Sequence, residues 1–563
     1  MPPEVNTPTA TNVKLTSHLL MEQLLTEGMN MFFVAPRSLR SPLAKILGRT
    51  KNSVTVVHTL SELTAMFMAL GYAQASSRAP VVILPAGQGL VSCLAALYTA
   101  TRIHVPMIII QDDLPTTVLN DDPPLTVDAM TIAKPLCKWT AQARHAHEIP
   151  RLIRRAFTEA MAPPRGPVFL SIPIDLLQQP ATAELISPPH TSPLGAADHN
   201  FILKTARSLV AAQNPAIIAG NEVSQFRARK EVATLAEVIG CPVFSEPMPT
   251  GVNFPNRHPQ FAGVLPLNLE LAREKLADHD LVLMLGMQTR LPGGHSEKGL
   301  ISNRSSVIQI NVEPTLSGKS LPCIAAANAD LAESLSRLRA EIQLIADAKW
   351  CSQAKDKAQI TIDDVSKDRQ KLEEELVYPK PNEGVSLFWL LRILDGARPT
   401  SSIIVTDLMG SKWDPSFVMS LEASSAYFAS NSGVDGFAPA AALGTQWASP
   451  ENPVVCVTTD QSLLQCPQAL WTAAHYNLNV KYIIVNSRGS NSLTTEFEQY
   501  LANAGDKSTP FPLDKPEIEF PLLAQSMRVQ ATKVTTMGEL EAALTKVFED
   551  KAPCLVDVRV ISD

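Results

Sequence analysis

The sequence predicts an α/β protein of three doubly wound parallel-sheet domains, and three observations carry that prediction. Short apolar runs recur along the chain, longer helical patterns lie between them, and two proline-bearing polar stretches divide the runs into three sets. Strands buried on both faces read as continuous apolar runs, and a helix between two such strands is the crossover that makes them parallel. At 563 residues the chain also exceeds what one hydrophobic core supports.

The first set is MFFVAP (31–36), VTVVH (54–58), PVVILPAG (80–87), PMIIIQ (106–111) and PVFLSIP (167–173), which places the first domain at 12–185. Composition shifts at LISPPHTSPLGAADHN (185–200), rich in Pro, Ser and Gly, which reads as a linker. The second set is PAIIAG (215–220), CPVFSEP (241–247), LVLMLG (281–286) and SVIQINVEP (306–314), giving a middle domain at 198–345. A charged helical stretch from about 345 to 380 gives way to YPKPNEG, a second linker. The third set is SIIVTD (402–407), VVCVTTD (454–460), VKYIIVNS (480–487) and CLVDVRV (554–560), and the last domain runs over 381–563. Ligands of such sheets bind beyond the carboxyl ends of the strands, so the residues just after each run matter most.

Composition narrows the function. A net charge of −7 offers no basic face for nucleic acid. The eight cysteines are widely spaced with no CxxC pair, which argues against a structural zinc site or a disulfide scaffold and fits a reducing compartment. The polar start MPPEVNTPTATNVK lacks the apolar core of a signal peptide, and no apolar run is long enough to span a bilayer. A cytoplasmic enzyme acting on a small molecule is the expectation.

Several residues could carry that chemistry. Glu62 follows a strand and opens an apolar helix; Thr59-x-x-Glu62 also matches a capping box, a purely structural use. Asp460 ends VVCVTTD and could cap the next helix, or bind a divalent cation while Ser462 and the helix start hold a phosphate. The next strand ends in Asn486-Ser487-Arg488-Gly489, where a side-chain oxygen and a carbonyl could complete the metal shell. Ser38, in the first strand-to-helix turn, is a cap or a catalyst, and Arg40 beside it is a solvated charge or a carboxylate clamp. His295, in the loop RLPGGHSEKG, is the histidine best placed to reach a site.

Taken together, GYAQAS (71–76), PLCKW (135–139), PRGPVFLSIPID (164–175), FPNRHPQFAGVLP (254–266) and ALWTAAHYN (469–477) resemble the thiamine diphosphate (ThDP)-dependent decarboxylases and carboligases, nearest the benzoylformate decarboxylase type. The middle-domain stretch favours that branch over the FAD-binding acetolactate synthases. The resemblance implies a pyrimidine-binding domain, a cofactor-free middle domain and a diphosphate-binding domain. It further implies ThDP held with Mg2+ between two subunits, in a homodimer or homotetramer. Glu62 would serve proton exchange on the pyrimidine ring while the cofactor acts as electron sink for loss of CO2 from a 2-oxo acid, releasing an aldehyde or joining it to an acceptor. Ser38 takes the place of the family's substrate-contacting serine, and His295 lies near a family histidine position. The resemblance gives Met409, Gly433, Asp435, Asp460, Gln461 and Ser462 to the cofactor, with Asp460, Ser487 and Gly489 on the metal.

The departures cluster at that cofactor. The family's Gly-Asp-Gly-Ser reads Thr459-Asp460-Gln461-Ser462, its metal-binding asparagine aligns with Ser487, and its bulky apolar prop aligns with Asp435. Two active-site histidines align with Pro85 and Gly293, and the acid after the serine turn becomes Arg40. A ThDP-fold binding or assembly protein without catalysis is therefore a second reading. A third rests on APRSLRSPL, which resembles the turn of the menaquinone-pathway synthase that joins a 2-oxoglutarate-derived unit to isochorismate; there Arg40 would bind a substrate carboxylate.

Overall fold

The computed structural model describes residues 13–40, 42–50, 53–118, 121–188, 194–288, 299–302, 304–319, 321–408, 413–423, 426–488 and 515–561. Three six-stranded parallel sheets organise them. The first comprises β1 (Met31–Val34), β2 (Thr55–His58), β3 (Val81–Leu84), β4 (Met107–Asp113), β5 (Trp139–Gln142) and β6 (Pro167–Pro173). Middle-sheet strands are β7 (Pro215–Ala219), β8 (Val243–Ser245), β9 (Phe261–Val264), β10 (Leu281–Leu285), β11 (Ser306–Asn311) and β12 (Ala325–Asn328). In the last sheet are β13 (Ile403–Thr406), β14 (Tyr427–Ala429), β15 (Val454–Thr459), β16 (Val480–Asn486), β17 (Gln530–Val534) and β18 (Cys554–Arg559). The helices used below are α1 (Glu62–Ser76), α2 (Asn221–Gln225), α3 (Ala348–Glu375), α4 (Leu387–Ala397), α5 (Phe437–Ala448) and α6 (Asp460–Gln465). No helix among the described residues is long and apolar enough to cross a membrane.

By internal packing the chain forms two compact units. One holds the first sheet with residues 440–449 and 466–475; the other holds the middle and last sheets. Within the first unit, α1 and the 440–448 part of α5 cross at two glycines. A Cβ on Gly71 would stand 1.9 Å from the Ala441 carbonyl oxygen, and one on Gly444 would stand 1.8 Å from that of Met68. Backbone therefore meets backbone, and each helix supplies the glycine that the other requires. This crossing gives the GYAQAS segment its packing role.

In the second unit the middle sheet has the order β9-β8-β7-β10-β11-β12, so its first and fourth strands are neighbours. That pairing is the switch point where a doubly wound sheet receives a dinucleotide. Here the crevice is filled by the chain itself. The turns after β7 and β10 touch, since a Cβ on Gly220 would lie 2.2 Å from the Gly286 oxygen. Glu222, on α2, accepts hydrogen bonds from Val312 N (2.7 Å), Glu313 N (2.9 Å) and Asn311 Nδ2 (3.3 Å) at the end of β11. Glu246 accepts from Asn221 N and from Gln288 N. Burial drives the Glu222 carboxyl from its ordinary value of 4.5 up to about 7, against the pull of its N–H donors.

Two measurements follow from this packing. Alanine at Gly444 should lower stability by about 2 kcal/mol or more, because the overpacking cost exceeds the roughly 1 kcal/mol that alanine adds to a helix. Alanine at Gly396, in α4 with nothing within 4 Å, should instead raise it by up to about 1 kcal/mol. Urea unfolding of both variants reads the contrast, and equal effects would refute the close crossing.

Glu222 holds its proton more tightly folded than unfolded. Its contribution is therefore fully favourable below pH 4.5 and is lost as pH rises through about 7. The loss amounts to about 3 kcal/mol across that window. Unfolding midpoints measured from pH 5 to 8 should fall in the native chain and change less in Glu222→Gln.

Candidate active site

In the first unit, Glu62 is the first residue of α1. The helix is capped by Ser61, whose Oγ accepts from Thr64 N at 3.2 Å, while Thr59 Oγ1 donates to the Ser61 carbonyl. The Thr59-x-x-Glu62 capping box expected from spacing is thus not formed. Glu62 is only 8% exposed, yet its carboxylate has no hydrogen-bond or ion-pair partner among the described residues. Burial, then the Glu62 charge beside it, pushes the Cys93 thiol well above its ordinary range. Ser38 lies in the short 3-10 turn after β1, buried, and its Oγ donates to the Ile83 carbonyl of β3 at 3.2 Å. Pro85 follows β3 directly. Arg40 has its backbone in the Ser38 turn, and its side chain lies outside the described residues, as does all of His295.

In the second unit, Asp460 opens α6 at the end of β15 with 1% exposure, and its Oδ1 accepts from Gln461 N at 2.9 Å. Thr459 caps the same helix, its Oγ1 accepting from Ser462 N at 3.1 Å. The Ser462 hydroxyl is committed inward, donating to Asp407 and accepting from Gly436 N at 2.7 Å. Asp435 is exposed; partial desolvation and then the charge of Asp460 raise its carboxyl, so two acids share this strand end. Gly433 has φ of +77°, and nothing lies within 4 Å of the Cβ it lacks. Ser487 is half-buried, and its hydroxyl has no partner among the described residues. Its neighbour Asn486 is already spent, with Nδ2 donating to Asp557 at 2.8 Å and Oδ1 accepting from Arg488 N at 3.2 Å. Met409 and Gly489 lie outside the described residues.

Sequence reasoning missed two buried acids. Asp407 accepts from Thr458 Oγ1 (2.8 Å), Ala438 N (3.0 Å) and Ser462 Oγ, and burial holds it up at about 6. The signal was present, because SIIVTD ends in an acid just as VVCVTTD does. Asp557, within β18, is likewise raised to about 6 by burial, and the acid interrupting CLVDVRV marks it.

Taken separately, Glu62 in the first unit offers a carboxyl with no partner in the described chain, and Gly433 in the second an open left-handed turn, and each is compatible with a ThDP pyrimidine. Toward the diphosphate the second unit fits less freely, since Ser462 Oγ and the first N–H groups of α6 already bond within the chain. Among the described residues no three His, Cys, Asp or Glu side chains converge on one point.

The chain has relatives among known proteins. The chain matches three models in succession: the N-terminal TPP binding domain of thiamine pyrophosphate enzymes (residues 15–132), their central domain (202–338) and their C-terminal TPP binding domain (414–558). It is 27% identical over 552 residues to benzoylformate decarboxylase of Pseudomonas aeruginosa, covering 95% of this chain and 97% of the relative. It is 25% identical over 540 residues to the acetolactate synthase large subunit of Buchnera aphidicola, covering 94% and 91%. The thiamine diphosphate-dependent 4-hydroxybenzoylformate decarboxylase of Rhodococcus jostii superposes with a TM-score of 0.82 at 25% identity, over 98% of this chain and 100% of that one. Three successive domain matches, the three parallel sheets and relatives aligned over nearly the full length identify the chain as a member of the thiamine diphosphate-dependent enzyme family of decarboxylases and acetolactate synthases.

Proposed function

We propose that the chain is a Mg2+-dependent ThDP enzyme that decarboxylates a benzoylformate-like 2-oxo acid without oxidation, with carboligation of the product aldehyde to a 2-hydroxy ketone as a side capacity. The observation that carries the reading is Glu62, a buried carboxyl at a helix start that no part of the described chain uses. A carboxyl that the described chain leaves without a partner is available to a bound group. Bound ThDP supplies an electron sink for the charge left when the carboxylate departs as CO2.

The chain's own residues take defined parts in this reading. Glu62 would hold and exchange a proton with the cofactor's pyrimidine ring. The Gly433 carbonyl would accept from the cofactor's amino group, and Asp460, Ser487 and Gly489 would hold Mg2+. Arg40 pairs with the substrate carboxylate, and Ser38 and His295 line the substrate's side. Because Glu62 and Asp460 serve one cofactor from two chains in this family's arrangement, the working unit is a homodimer or a dimer of dimers. A cytoplasmic location accompanies the reading.

The middle domain supports decarboxylase over a flavin-bearing acetolactate synthase, because Glu222 and Glu246 fill the crevice that a dinucleotide needs. A second reading, a ThDP-fold binding or assembly protein, is favoured by one observation: Thr459 and Ser462 close the α6 start upon the chain itself.

Calorimetry with ThDP and Mg2+, followed by CO2 release from a panel of aromatic and aliphatic 2-oxo acids, separates the two readings. The enzyme reading expects binding and release. Glu62→Gln should cut kcat by about a hundredfold or more while the unfolding midpoint stays within a few degrees. Neither binding nor release from the native chain would leave the assembly reading standing.

A further inference from the structure

We infer that Asp407 is a positioning residue for the cofactor, tying the turn that carries Gly433 to the strand end that carries Asp460. The inference rests on the ThDP reading above and adds a residue to it. Asp407 directly follows β13, is 5% exposed and uses both carboxylate oxygens. Oδ1 accepts from Thr458 Oγ1 on β15, and Oδ2 accepts from Ala438 N at the start of α5 and from Ser462 Oγ on α6. Ser462 Oγ passes the link on by accepting from Gly436 N. One carboxylate thus joins the ends of two neighbouring strands to the 436–438 segment through two parallel routes, one direct and one through a hydroxyl.

Three donors converge on the two oxygens, and no Lys, Arg or His pairs with Asp407 among the described residues. An amide could aim its NH2 at the Thr458 hydroxyl, which can rotate to accept, and keep its oxygen for Ala438 N and Ser462 Oγ, so alanine is the substitution that removes both routes to the turn. The turn needs an outside anchor because its backbone is unusual. Gly433 and Gly436 have φ of +77° and +93°, and Ser430 and Ser432 bond within the turn itself. Both Asp407 oxygens are taken up within the chain, so it acts through Ser462 and the turn.

A purely structural acid and a positioning acid predict different outcomes. In the full-length chain, Asp407→Ala and Ser462→Ala should each raise the ThDP dissociation constant, measured by calorimetry with Mg2+, by about tenfold or more. The double variant should fall well short of the product of the two effects, because both break one link. Thr458→Val removes the bond that does not reach the turn. It should lower the unfolding midpoint yet leave the ThDP dissociation constant unchanged. Should Asp407→Ala fail to fold, Ser462→Ala against Thr458→Val makes the same comparison. If affinity in all variants simply tracks the loss of unfolding midpoint, or if Asp407→Ala and Ser462→Ala bind like the native chain, the positioning role is overturned while the ThDP reading stands. A native chain that binds no ThDP overturns both.

Discussion

All strands within each large sheet run the same way, and that constraint shapes the rest of the molecule. Turns gather at one end of every sheet, and the N–H groups there have no strand partner. An unmet buried donor costs about 1–3 kcal/mol. The chain meets this cost repeatedly with buried or half-buried carboxylates. Asp113 accepts from Leu114 N and Ser171 Oγ, and Asp175 from Thr116 N, around the first sheet. Glu222 and Glu246 serve the middle sheet, and Asp407 the last. Burial without a cation raises the acids most deeply committed in this way, Glu222 and Asp407. Against that background Glu62 is the exception, an acid at a strand's carboxyl end that satisfies nothing in the described chain.

The first and last sheets share one strand order, and the middle sheet has another. In the order of their appearance the strands run second, first, third, fourth, sixth, fifth in both outer cases. Equivalent strand ends then carry the residues of interest. Ser38 and Asp407 follow the first strand of their sheets, and Glu62 and Gly433 the second. Pro85 and Asp460 follow the third, and Asp113 and Asn486 close the fourth. The two sheets therefore present the same set of turns with different chemistry on each. The middle sheet, with first and fourth strands adjacent, has the dinucleotide order and closes its own crevice.

Most of this was legible in the sequence, and the exceptions share a cause. The strands found as apolar runs include every interior strand. The strands not found, Trp139–Gln142, Phe261–Val264, Ala325–Asn328, Tyr427–Ala429 and Gln530–Val534, all lie at sheet edges. Edge strands face solvent or loops, so Ala325–Asn328 and Gln530–Val534 alternate between half-buried and exposed positions, with only Val534 buried, and leave no continuous apolar run. The charged stretch after the middle domain forms the 28-residue helix α3, as its composition implied. At the site, Glu62, Asp460 and Ser462 were visible because they end or follow apolar runs. Their hydrogen-bond commitments were not, because whether Ser462 points toward a ligand or toward Asp407 is decided by a residue over fifty positions away. The capping box at Thr59 failed for a related reason: Ser61, nearer the helix, took the cap first.

The departures around Asp460 bear on affinity more than on chemistry. Opening the α6 start to a diphosphate requires Thr459 to release Ser462 N and Asp460 to release Gln461 N. Each such bond is worth about 1 kcal/mol net, so releasing both weakens cofactor binding by about one to two decades. The Ser462 hydroxyl need not move at all if the helix N–H groups and Mg2+ carry the phosphates, and its bond to Asp407 then holds the turn in place. Replacing Glu62 would, under the proposed function, act on a different quantity, because proton transfer by a placed acid is worth a hundredfold or more in rate. In the proposed function, Glu62 and the closed start of α6 would thus act on separate quantities, Glu62 on rate and the bonds held by Thr459 and Asp460 on cofactor affinity.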